Sequence, residues 1–109
     1  MFEHARNHME RPRSRLANDP RFSRMVSDFA DAMVIRTEAF ADALKRSDIT
    51  KLSTLSHKLK GSAGGYGFDS ISDAAARLEH ATLENEADLS SVSEHVEDLI
   101  QLCHKARGD

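Results

Sequence analysis

Tryptophan is absent from this 109-residue chain, and tyrosine and cysteine each occur once. The single cysteine, Cys103, excludes an intramolecular disulfide and fits a reducing compartment. Its place in the apolar pattern predicts a buried small hydrophobe rather than a nucleophile. Long apolar runs are missing too. The longest is Ala32-Met33-Val34-Ile35, far short of a membrane span. The opening MFEHARNHMERPR is polar and lacks the apolar centre of a signal peptide, so the expected location is cytoplasmic, with no membrane partner. No segment alternates apolar with polar residues and no hairpin dipeptide joins two apolar runs, which argues against a sheet. There is no internal repeat and no low-complexity tract. Net charge is only −3, too small to indicate a partner by itself.

What is present reads as helix. Residues 1–18 carry no clear period and are expected to form an arm or short helix, leaving 19–109 as one domain around a single core. Asp19-Pro20 resembles an N-cap followed by proline at the first helical position. From there Phe22, Met25, Val26, Phe29, Met33, Phe40 and Leu44 recur at three- and four-residue steps, predicting one helix to about Arg46. Ser47-Asp48 is a short link, and Asp48 is the expected cap of a second helix. Gly64-Gly65-Tyr66-Gly67 ends that helix, with Gly67 suited to a left-handed C-cap. Ser70 and Asp73 resemble a capping box for a third helix with Ile71, Ala74, Ala75, Leu78 and Ala81 or Thr82 on its stripe. A fourth presents Leu89, Val92, Val96, Leu99, Ile100 and Cys103 after a break at 85–88. Short links imply antiparallel neighbours, so the expected fold is an all-α, antiparallel, up-down-up-down four-helix bundle.

The stretch Thr50–Phe68 is the unusual one. At about 100° per residue, Leu52, Leu55, Leu59, Ala63 and Tyr66 share one face. Thr50, Ser53, Thr54, His57, Lys60, Gly61 and Gly64 share the other. A helix-interior glycine costs about 1 kcal/mol relative to alanine. Keeping Gly61, Gly64 and Gly65 here predicts a need for bare backbone beside His57, hence a histidine that something large must approach. Lys51, Lys58 and Lys60 make this helix locally positive. From Asp69 to Asp98, by contrast, the acids are accompanied only by Arg77. That suits an anionic group arriving at His57 and does not suit nucleic acid, which wants a wider basic surface.

His57-Lys58-Leu59-Lys60-Gly61-Ser62-Ala63, then Gly67 and Leu78-Glu79, resembles the pattern of histidine-containing phosphotransfer (HPt) domains: H-x-L-K-G-S/A, a later glycine and a downstream L-E pair. One departure is Ser56, where alanine is common. The resemblance implies a phosphorelay carrier in two-component signalling. Nε2 of His57 would attack a phosphoryl group held on a receiver-domain aspartate, and a second receiver would take it on. Lys60 would stabilise charge on the phosphoryl oxygens. Ser53, Thr54, Gly61 and Gly64 would form the face on which receivers of response regulators or hybrid kinases dock, the carrier itself being a monomer. An ordinary imidazole, with a pKa of about 6.5, is mostly neutral at pH 7 and so offers the lone pair this needs. What orients the other ring nitrogen is not visible in the sequence.

Positioning and charge neutralisation dominate phosphoryl transfer. The chain shows no nucleotide-binding glycine loop, since GSAGGYG has no lysine after its glycines, and no acid cluster for Mg²⁺ beside His57. The resemblance to HPt domains implies what is missing: Mg²⁺ comes on the receiver, and the chain is expected to be a carrier with no cofactor of its own and no ATP binding, autophosphorylation or enzyme activity. Two rivals are a non-catalytic helical module that docks receivers without transfer, and a metal-dependent or hydrolytic enzyme. The latter needs several ligands in one pocket. His4 and His8 lie four apart in the arm with no cysteine nearby, so no metal site is expected. His80, His95 and His104 read as surface residues, Tyr66 and Phe68 as plugs at the bundle base, and the arm arginines as solvated charge.

Overall fold

The computed structural model describes residues 11–84 and 87–108. It contains α1 (Ser23–Lys45), α2 (Ile49–Gly65), α3 (Asp69–Leu83) and α4 (Leu89–Arg107), with no strand among the described residues. Each helix packs against the next and α4 returns to α1, closing an antiparallel four-helix bundle. The antiparallel run of α2 and α3 is visible in their contacts: Lys60 meets Ser72, and His57 meets Glu79 further along. No described helix is long and apolar enough to cross a membrane.

The expected stripes form the core. Val26, Phe29, Met33 and Phe40 meet Leu52, Leu59 and Ala63, then Ile71, Ala74, Ala75 and Leu78, then Val92, Val96, Leu99 and Cys103. Large side chains with no exposed surface, such as Met33, Leu52, Ile71 and Leu78, each contribute about 1.5–3 kcal/mol by leaving water. At one end Phe29 stacks on Tyr66 at 4.2 Å between ring centroids and lies 6.1 Å from Phe68. Ser56 is also fully buried. Its hydroxyl donates to the Leu52 carbonyl at 2.8 Å, so the polar group is satisfied inside its own helix.

Helix ends depart most from expectation. α1 begins at Ser23, not at Asp19-Pro20. The Asp19 carbonyl accepts from Phe22 and Ser23 N–H at 2.9 and 3.0 Å, forming a lead-in turn before regular helix. Ser70 and Asp73 form no capping box. The N-cap of α3 is Phe68, directly after the α2 turn, so Ser70 already lies in the first helical turn. Met25 and Leu89, assigned to the core, are 51% and 44% exposed: both lie at the edge of their helix stripes, while Val26 and Val92 take the inward positions of the same first turns. Leu102 and Ala106 take core positions instead, while Ile100 is half-buried.

Residues 11–18 form a turn-rich strap over the α2–α3 junction. Ser14 Oγ donates to the Tyr66 carbonyl at 2.6 Å and Arg15 N–H to the Gly67 carbonyl at 3.0 Å. Arg15 also pairs with Asp69 at 2.7 Å, and Arg11 donates to the Ala106 carbonyl at 3.3 Å. These two arginines are therefore anchored to the bundle rather than free tail charge. His4 and His8 lie outside the described residues.

Both tight interhelix links are Schellman turns with a left-handed residue. After α2, Phe68 N–H reaches the Ala63 carbonyl and Gly67 N–H the Gly64 carbonyl, at 2.9 and 3.0 Å, with Gly67 at φ +84°. After α1 the same pattern joins Asp48 to Ala43 and Ser47 to Leu44, both at 2.9 Å, with a serine at φ +54°. Two opposite outcomes follow. Ser47→Gly should raise stability by about 0.5–1 kcal/mol by removing the left-handed penalty. Gly67→Ala should lower it by about 1–3 kcal/mol, since its Cβ would also stand 2.6 Å from Ser14 Oγ. Urea denaturation of the two variants checks both signs.

Candidate functional site

Leu52, Leu59 and Ala63 turn inward on α2, and the helical period sends His57 outward, where its side chain is 66% exposed. Asp48 caps the helix by accepting from Lys51 N–H at 3.0 Å. Across the seam, fully buried Leu78 holds α3 in place and aims the next residue, Glu79, at α2. One carboxylate then serves two partners. Oε2 of Glu79 is 2.8 Å from Nδ1 of His57, and Oε1 is 2.9 Å from Nζ of Lys60. Glu79 is only 17% exposed and Lys60 38%, so the trio stands at the surface on a covered acid.

The Lys60 hydrogen bond, with a smaller contribution from His57, holds the Glu79 carboxyl below the usual glutamate range despite partial burial. Glu79 is thus an acceptor only at neutral pH, and the proton in its contact with His57 must sit on Nδ1. In the neutral ring the lone pair is then on Nε2, pointing away from Glu79. Lys60 gives one of three ammonium N–H groups to Glu79 and keeps two for another anion.

The other residues of the expected docking face fall in two groups. Ser53 is half-buried, Thr54 is exposed, and a Cβ at Gly61 would meet no atom within 4 Å. These three border open solvent around His57. Gly64 instead faces α3, where a Cβ would lie 3.3 Å from Ser72 Oγ. Its missing side chain serves close helix approach. Glu79 was legible only as part of the L-E pair. A carboxylate following an inward leucine on a helix adjoining α2 is the signal that could have marked it. His80 is exposed and lies 3.8 Å from Glu84. Cys103 is buried, and desolvation pushes its thiol up to about 12, so it stays protonated. Among the described residues, no group of three or more His, Cys, Asp or Glu could hold a metal ion.

The four-helix bundle thus presents an outward histidine, flanked by a lysine and backed by a carboxylate, on an open surface. A family model described as the Hpt domain matches residues 24–108. The chain belongs to the Hpt domain family, whose domains serve histidine phosphotransfer in phosphorelays, interact with receiver domains and have no kinase activity of their own. No curated protein and no solved structure matches it.

The depressed Glu79 value has a definite sign. The stability it contributes is complete above the ordinary value of 4.5 and is lost as the pH falls through the lower folded value. The part of the stability difference between wild type and Glu79→Gln that comes from this carboxyl's own titration should therefore be complete above about pH 5 and shrink below it. NMR titration of the carboxyl carbon should show its midpoint rising in Lys60→Met. An unmoved midpoint would contradict Lys60 as the main cause.

Proposed function

We propose that this protein is a phosphorelay carrier that accepts a phosphoryl group on Nε2 of His57 from a receiver-domain aspartate and passes it to a second receiver. The observation that carries this reading is the Glu79 bridge, whose carboxylate accepts from Nδ1–H, holds the ring proton there and leaves the Nε2 lone pair outward as the nucleophile. The Nε2 lone pair forms a bond to phosphorus as the bond from phosphorus to the aspartyl oxygen breaks, releasing the aspartate carboxylate. The ring becomes cationic while keeping its Nδ1 proton, and Glu79 offsets that charge. Lys60 keeps further N–H groups for the phosphoryl oxygens as they gain charge. Onward transfer to the second aspartate reverses the same steps.

Mg²⁺ belongs to the receiver in this scheme, where it neutralises phosphoryl charge, and His57, Lys60 and Glu79 supply only the nucleophile and its electrostatic setting. Ser53, Thr54 and Gly61 form the rim a receiver approaches. The ammonium of Lys60 is already paired with Glu79, which favours a compact anionic group over a nucleic-acid backbone as the ligand. A module that only docks receivers would not need a carboxylate beneath the ring.

Incubation with a phosphorylated receiver and Mg²⁺, followed by intact mass at neutral pH, tests the reading. One phosphoryl group, labile in acid and stable in base, should appear and be absent from His57→Gln. Label persisting in that variant, or mapping to His80, rejects the acceptor assignment. Gly61→Gln separates docking from folding. With open space at its Cβ, it should raise stability by a few tenths to about 1 kcal/mol through helix propensity, while the added side chain slows transfer. An unchanged transfer rate would remove Gly61 from the docking rim.

A further inference from the structure

Lys60 is held from α3 at a second point, on its backbone. Ser72 Oγ donates to the Lys60 carbonyl at 2.9 Å. Other hydroxyls of the helices turn back onto their own backbone: Thr54 to Thr50, Ser56 to Leu52, Ser62 to Lys58 and Thr82 to Glu79. Ser72 crosses to the neighbouring helix instead. It can do so because Gly64 has no side chain there, and a Cβ would crowd Ser72 Oγ at 3.3 Å.

Ser72 and Glu79 are seven residues apart, nearly two full turns, and so lie on one stripe of α3. The pair between Lys60 and Glu79 joins two long side chains, whose rotatable bonds tolerate some sliding of α2 along α3. A serine hydroxyl on a rigid helix backbone tolerates much less. We propose that Ser72 is a positioning residue for phosphotransfer: pinning the Lys60 carbonyl sets the height of α2 at which one Glu79 carboxylate reaches both His57 and Lys60. Gly64 is the complementary half of this device. The inference rests on His57 being the phospho-acceptor, as proposed above.

The test uses Ser72→Ala, Ser72→Thr and Gly64→Ala in the full chain, read first without any partner. In Ser72→Ala the NMR titration midpoint of Glu79 should rise toward the ordinary glutamate value, and the ¹⁵N shifts of His57 should lose the Nδ1-protonated signature. Transfer from a phosphorylated receiver should fall about two- to tenfold, the effect of one net hydrogen bond. Ser72→Thr keeps the hydroxyl and should restore both readouts. Gly64→Ala improves helix propensity, so it should stay folded while moving both in the same direction, and it stands in if Ser72→Ala fails to fold. A wild-type midpoint and transfer rate in Ser72→Ala, or in Gly64→Ala where it stands in, overturn the proposal whatever the melting temperature does. A wild-type protein that accepts no phosphoryl group overturns the parent reading. The Glu79 titration would then still decide whether Ser72 sets the contact.

Discussion

A single carboxylate that must satisfy an imidazole and an ammonium at once restricts the whole arrangement. His57 and Lys60 are three residues apart on α2, and Glu79 reaches both only when α3 presents it at the right height and rotation. Rotation is set by the buried neighbours Leu59 and Leu78, which fix which faces of α2 and α3 meet. Height is limited by the Schellman turn at Gly67, with only Tyr66, Gly67 and Phe68 between the two helices. The strap over that turn, through Ser14 and Arg15, adds a constraint from before α1. The surface chemistry is therefore a consequence of how two helices are joined and packed.

This geometry also changes the electrostatic reading of α2. Counted along the sequence, Lys51, Lys58 and Lys60 make it a basic helix. In the fold, Glu79 balances Lys60 while leaving ammonium donors free, so the resting site is closer to neutral than the helix sequence suggests. In its neutral form an imidazole whose proton is held on Nδ1 is a better nucleophile than an imidazolium, and in the proposed transfer the acid beneath it would offset the charge that develops.

Much of the fold was legible because its signal is periodic. Stripes such as Ile71, Ala74, Ala75 and Leu78 follow from the helical repeat, and all are buried. The histidine, its lysine and the bare glycine at 61 were legible for the same reason, as one face of one helix. The contacts of Glu79, visible only as part of the L-E pair, and of Ser72 were not, because they depend on how α3 sits against α2, which no single-helix pattern contains. The misread positions have local causes. Met25 and Leu89 obey the three- and four-residue steps but lie at the edge of the buried stripe, beside Val26 and Val92, and Ser70 matches a capping pattern that the preceding turn leaves no room to form. Arg11 and Arg15 carry tail-like composition yet find a carbonyl and a carboxylate on the bundle end.

In the proposed transfer Glu79 decides which ring nitrogen reacts, by holding the ring proton on Nδ1. The most direct measurement is phosphorus–nitrogen coupling by NMR on ¹⁵N-histidine-labelled protein phosphorylated through a receiver domain. Phosphorus is expected on Nε2 of His57, with Nδ1 still protonated. Phosphorus on Nδ1, or on any other histidine, would contradict it.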